Sequence, residues 1–233
     1  LISNWMIKSF DIDTPKILNI SGFLRKKLRY GENPHQKASI YLNSEPFFTQ
    51  IQGKELSYNN INDIESAFHI VNEFRKQKKI AVSIIKHSNP CGVATSNNSL
   101  EAYKKALSSD PESAFGGIVS FNSLVDENIA LEIIKIFTEV IVAPDFSDSA
   151  LKIFKEKKNL RLIKNRNSSN DFVNEKVFKS LKDGFILQDK DKLIDESKNF
   201  KIVTKKKPNE SELNDLLFAF ETVKHVKSNG IVI

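Results

Sequence analysis

"IAVSIIKHSNPCGV", residues 80–93, decides how the rest of the chain is read. Its first six residues are nearly all apolar and largely β-branched, a run suited to a short strand covered on both faces. A lysine and a histidine follow, and then a polar stretch, "KHSNPCGVATSNN", that reads as a loop. A strand buried on both faces needs helices above and below it, so helices and strands should alternate on either side.

They do. Upstream, "INDIESAFHIVNEFRKQKK" sets Ile61, Ile64, Phe68, Val71 and Phe74 at three- and four-residue spacings, which predicts a helix with one apolar stripe. Downstream, Ser99 is the expected cap of a helix in "SLEAYKKAL", and "GIVSF" (117–121) is the next strand. "DENIALEIIKIF" follows as a helix capped by Asp126, "EVIVAP" (139–144) as a strand, "SDSALKIFKEKK" as a helix and "LRLI" as a strand. This alternation predicts an α/β fold built on a largely parallel sheet.

Past residue 165 the pattern loosens. "NRNSSND" is a polar loop, and "FVNEKVFKSLKDGFILQD" holds strand-like pieces around a turn at Asp183-Gly184. "FKIVT" reads as a strand and "GIVI" as the start of another buried one. Between them, "NESELNDLLFAFETVKHV" is a helix with Leu213, Leu216, Leu217, Phe220 and Val223 as its apolar face.

Composition narrows the class. The 233 residues are 40% hydrophobic and 27% charged, as in a globular chain with a core. A single cysteine excludes an intrachain disulfide and suits a reducing compartment, so a cytoplasmic location is expected. No run of about 18 apolar residues and no export-signal pattern is present, so no membrane partner is expected. The formal charge of +6 is concentrated in lysines mixed with acids, as in "KIFKEKK" and "TKKKPNE". Without aromatic interleaving this predicts solvated faces and linkers rather than a nucleic-acid surface.

Three clusters can carry chemistry. Lys86-His87 stands at a strand end, where an imidazole can take a proton and an ammonium can steady developing negative charge; a solvent-facing strand end is the plainer alternative. Cys91 lacks the second nearby cysteine of a zinc-type "PCxxC", so metal is not expected, and it reads either as a nucleophile paired with His87 or as a small thiol beside a turn. "LRYGENPHQ" (28–36) presents Arg29, whose planar fork suits phosphate, with Tyr30 and His35 on a shaped loop. "DPESAFGGIVSFN" (110–122) carries Gly116-Gly117, which allow either a close backbone approach to a ligand or a tight turn into a strand.

In this order, "LRYGENPHQKASIY", "KELSYNNINDIESAFHIV", "KHSNPCGVAT", "DPESAFGGIVSFN", "EVIVAPDFSDSALKI", "KKNLRLIK" and "FAFETVKHVKSNGIV" resemble the bacterial bifunctional purine-biosynthesis enzymes, AICAR formyltransferase/IMP cyclohydrolase. The likeness runs from about Leu28 to the last residue. It implies cytidine-deaminase-like α/β/α layers with a mostly parallel mixed sheet and no zinc. It also implies that residues 1–20 are the tail of an upstream cyclohydrolase domain with its linker, and that 21–233 are the first part of the formyltransferase domain, truncated at its C-terminus.

The implied activity is transfer of a formyl group from 10-formyltetrahydrofolate to the 5-amino group of AICAR, in a cytoplasmic homodimer with shared active sites. The alternative is a non-catalytic module that keeps a nucleotide site. By the same resemblance His87 matches the general base and Lys86 the lysine that stabilises the transition state. Arg29, Tyr30, Gly116, Glu139 and Asn229 match AICAR-binding positions. The chain departs from the family pattern at Gly230, where alanine is usual, at Asp183 and Phe185, and at Phe220, which replaces a common tryptophan.

Overall fold

The computed structural model describes residues 16–75, 77–166, 176–191 and 200–233. The centre is a six-stranded sheet built from β3 (Phe48–Gln52), β4 (Ile80–Lys86), β5 (Asn89–Ser96), β6 (Ile118–Phe121), β7 (Val140–Ala143) and β8 (Arg161–Asn165). Its spatial order is β3-β8-β7-β6-β4-β5. The ladders β6–β7 and β7–β8 are parallel, whereas β3–β8, β4–β6 and β4–β5 are antiparallel. Four of the six strands, β5 to β8, therefore point one way, and β3 and β4 point the other.

Two layers of helices cover the sheet. On one face lies α1 (Tyr58–Glu73), begun by a capping box between Ser57 and Asn60. Its stripe of Ile64, Ala67, Ile70, Val71 and Phe74 packs on Ala81, Ile85, Ile118, Val140, Val142 and Ile163 of the sheet. On the other face lie α2 (Ser99–Ser109), the short α3 (Pro111–Ala114), α4 (Glu127–Ile133) and α5 (Asp148–Phe154). Tyr103, Ile129, Ile133 and Phe154 from this layer meet Val82, Ile84, Phe121 and Ile141. Because neighbouring strand residues feed opposite layers, β6 and β7 are buried at every position, which is why they read as unbroken apolar runs.

Two expectations from the sequence change here. "NPCGVATS" is strand β5 rather than loop, and it forms a hairpin with β4 whose two-residue turn is His87-Ser88. Pro90 and Gly92 disguise it. β5 is an edge strand, where a missing backbone N–H is tolerated, and a Cβ on Gly92 would stand 1.9 Å from the carbonyl oxygen of Ala106 in α2. The hairpin also reverses β4 relative to β6. In addition, the cap of α2 is Asn98, whose side chain accepts from the Glu101 N–H, rather than Ser99.

Outside the sheet, β1 (Phe23–Leu28) and β2 (Ala38–Leu42) pair antiparallel and carry the Arg29–Lys37 loop between them. β9 (Lys176–Leu181) and β10 (Gly184–Asp189) form a hairpin whose two-residue turn is Lys182-Asp183, one residue earlier than the expected Asp183-Gly184, because Gly184 already pairs with Leu181. α6 (Glu210–Val223) starts from a capping box of Asn209 and Glu212. Its predicted apolar face is largely open, with Leu213, Leu216 and Phe220 exposed. The inward contacts are made instead by Phe218, stacked on Phe74, and by the buried Thr222. "FKIVT" and the final Gly230–Ile233, both expected as strands, form none and belong to none of the described sheets. Residues 1–15, 76, 167–175 and 192–199, with the readings that fall on them, lie outside the described residues.

Candidate active site

Reversal of β4 decides where the chemistry gathers. In an open parallel sheet, ligands sit beyond the carboxyl ends of the strands. Here Ile85 of β4 pairs with Ile118 of β6, so the carboxyl end of β4 lies at the amino ends of β6, β7 and β8. Lys86, Gly116-Gly117, Glu139 and Arg161 thereby share one edge of the sheet.

At that edge the Lys86 ammonium donates to the Phe115 carbonyl at 2.9 Å. Gly116, at φ 73°, turns the chain, and its N–H meets the Phe137 carbonyl at 2.7 Å. Gly117 has no room for a side chain, because a Cβ would lie 2.9 Å from the Ile85 carbonyl oxygen. Glu139 follows on the next strand. Its carboxylate accepts from Asn60 Nδ2 at 3.0 Å and faces Arg161 at 3.7 Å.

His87 is exposed at the tip of the hairpin. His87 and Ser88 both have left-handed backbones, φ 55° and 57°. Such a turn favours Asn-Gly, so two residues with ordinary side chains must be held there by their surroundings. Asp63 of α1 accepts from the Ser88 N–H at 2.7 Å and from its hydroxyl at 2.9 Å, while Asn62 donates to the same hydroxyl at 2.5 Å.

The Arg29–Tyr30 pair is prearranged as well. The guanidinium lies 4.7 Å from the Tyr30 ring centroid and donates to its hydroxyl at 3.3 Å. The loop closes through the Gly31 N–H to the Gln36 carbonyl at 2.7 Å, and Asn59 of α1 donates to its Glu32 carbonyl at 3.1 Å. His35 is exposed on the same loop. Asn229, also exposed, lies two residues beyond Lys227, whose N–H donates to Asn89 beside the hairpin turn at 3.1 Å.

Cys91 is half-buried against the core, where burial and then Asp110 push its thiol pKa up, against a smaller opposing effect of Lys86. A neutral thiol is a poor nucleophile, so the turn-side reading fits it better. Among the described residues, no group of three or more His, Cys, Asp or Glu is arranged to hold a metal ion, and no helix is long and apolar enough to cross a membrane.

What sequence reasoning missed is the first turn and a half of α1. Asn59, Asn60, Asn62 and Asp63 reach, in turn, the 29–37 loop, Glu139 and the His87-Ser88 turn. The signal was present in "YNNIND": three amides and a carboxylate crowd the start of a helix whose amphipathic stripe does not need them.

Known proteins resemble this chain along its whole length. The family described as the AICARFT/IMPCHase bienzyme matches residues 1–233. The bifunctional purine biosynthesis protein PurH of Brucella ovis is 49% identical over 236 residues, covering 99% of this chain and 44% of that protein. The PurH of Brucella anthropi is 48% identical over the same shares. The chain thus spans less than half the length of these curated relatives. Among solved structures, a proposed formate dehydrogenase accessory protein from Desulfotalea psychrophila covers 59% of this chain and 61% of its own at 12% identity and a TM-score of 0.37, a likeness too slight to bear on function.

Proposed function

The chain belongs to the AICARFT/IMPCHase bienzyme family, and on that premise we propose that it forms the AICAR side of a formyltransferase site, in a protein that also acts as an IMP cyclohydrolase. The observation that carries the reading is the meeting of three sequence-distant segments, the 29–37 loop, the His87-Ser88 turn and Glu139, on side chains of Asn59 to Asp63.

In this reading Arg29, with Tyr30 beneath its guanidinium, takes the phosphate of AICAR. Gly116, Glu139 and Asn229 surround the rest of the nucleotide, with Asn60 and Arg161 orienting the Glu139 carboxylate. An aromatic amine is a poor nucleophile, and His87 removes its proton as the amine nitrogen bonds to the formyl carbon of 10-formyltetrahydrofolate. The bond from that carbon to N10 then breaks, N10 takes a proton, and tetrahydrofolate leaves. Lys86 keeps one hydrogen bond to the Phe115 carbonyl and has two further donors for the oxyanion of the tetrahedral intermediate. The protein works in the cytoplasm as a homodimer whose subunits share the active sites.

His87→Ala in the whole protein tests this directly. Formyl transfer should fall by about 10²–10⁴-fold, with the AICAR KM changed by only a few-fold. Unchanged turnover would remove His87 as the base. AICAR binding by the wild-type protein with no turnover would point to a nucleotide-binding module instead.

A further inference from the structure

The His87-Ser88 turn is gripped from two sides, and only the α1 side is accounted for by the contacts of Asn62 and Asp63. On the other side stands Lys227, just after α6. Its ammonium donates to the His87 carbonyl at 2.9 Å, and its own N–H donates to Asn89 Oδ1 at 3.1 Å. Lys227 thus binds the residue that opens the turn and the residue that follows it.

The segment bearing Lys227 is itself fastened. Lys224 places its ammonium 2.7 Å from Glu73 Oε1, with only 8% of its side chain exposed, and His225 Nε2 lies 3.7 Å from the same oxygen. That longer distance is outside hydrogen-bond range, so His225 contributes charge when protonated and Lys224 makes the bond. Gln77 adds a bond to Glu221 at 2.6 Å. Glu73 is the last residue of α1, the helix whose early turns hold Ser88. One helix therefore anchors both grips on the turn, about ten residues apart along its length.

We propose that Lys227 is a positioning residue for the reaction: with Glu73 and Lys224 holding its segment in place, it fixes the left-handed turn that presents His87. The inference rests on the assignment of His87 as base. The reason is geometric. Two left-handed residues in succession are costly for ordinary side chains, and a turn released on one side can relax and carry the imidazole away from the amine it must deprotonate.

A double-mutant cycle in the whole protein tests this, read by formyl transfer with AICAR and 10-formyltetrahydrofolate. Lys227→Met should lower kcat by about tenfold or more while the AICAR KM changes less than about threefold, and Lys227→Arg, which keeps a donor, should recover most of the loss. In a His87→Ala background Lys227→Met should cost nothing further, because it acts only through His87. Asn89→Ala, which removes the other acceptor, should move kcat in the same direction. An equal loss in both backgrounds, an effect confined to KM, or unchanged turnover in Lys227→Met would overturn the positioning role and leave the base assignment standing. Full turnover in His87→Ala would remove both.

Discussion

α1 and α6 carry the same kind of sequence signal and end in opposite environments. Each has an apolar stripe at helical spacing and a capping box at its start. In α1 the stripe is sealed, with Ile64 and Val71 fully buried and Phe74 nearly so. In α6, Leu213, Leu216 and Phe220 remain 41%, 57% and 46% exposed. The β9–β10 hairpin resembles α6 in this respect, with Phe178, Leu181 and Ile186 exposed. Periodicity thus records which side of an element is apolar, and the presence of a neighbour decides whether that side is worth anything to stability.

The contrast should appear first in truncations. Phe121→Ala, in a strand buried at every position, should cost about 3–5 kcal/mol, whereas Phe220→Ala, whose main described ring contact is the exposed Phe200, should cost under about 1 kcal/mol. Urea unfolding of both variants checks this. A cost for Phe220→Ala close to that of Phe121→Ala would mean that the α6 face is covered in solution, and the contrast would fail.

Gly92→Ala probes the edge strand that the sequence concealed. Its Cβ would press on the α2 backbone at the Ala106 carbonyl, so β5 or α2 must shift, at a cost of about 2–3 kcal/mol in the same measurement. A neutral substitution would show that β5 stands further from α2 than the geometry requires.

The link between α1 and the end of α6 should be sensitive to acid. Burial works against the Glu73 charge, but His225 and Lys224 outweigh it and hold the carboxyl at about 2 rather than 4.5. Its contribution to stability is complete above the unfolded value of 4.5 and is lost as pH falls from there toward 2. His225 is lowered from 6.5, chiefly by burial, so the unfolded chain takes up that proton first and stability also begins to fall as pH drops below 6.5. Glu73→Gln should remove about 1–2 kcal/mol at neutral pH, allowing for solvent screening of a partly exposed side chain, and should flatten the acid limb. An acid limb as steep as that of the wild type would place the sensitivity elsewhere.

The smallest effect is expected at Cys91. Cys91→Ala should cost under about 1 kcal/mol and leave formyl transfer within about twofold, since its thiol is held neutral and packs against the core. A loss of turnover comparable to that of His87→Ala would restore the nucleophile reading.

Much of this was legible locally. β4, β6, β7 and β8, the α1 stripe, the Asp126 cap and, to within one residue of its turn, the β9–β10 hairpin all follow from apolar runs, spacing and turn chemistry within a dozen residues. β5 was not, because Pro90 and Gly92 are signals against a strand unless that strand is known to lie at an edge under α2. The site divides in the same way. Lys86-His87 was legible as a candidate pair at a strand end, with a solvent-facing end as its alternative, and the resemblance of the ordered motifs supplied the other candidates, whereas the contacts of "YNNIND" were hidden because an amide side chain does not announce its partner.

By itself the sequence determined the layered α/β fold and the residues available for chemistry, since burial and turn preferences are properties of short segments. Only the tertiary structure decided that β4 runs against β6, that the α6 face stays open, and that Lys227 reaches the turn from about 140 residues away. Strand direction, coverage and distant hydrogen bonds depend on which segments become neighbours, and the folded packing of the whole chain sets that.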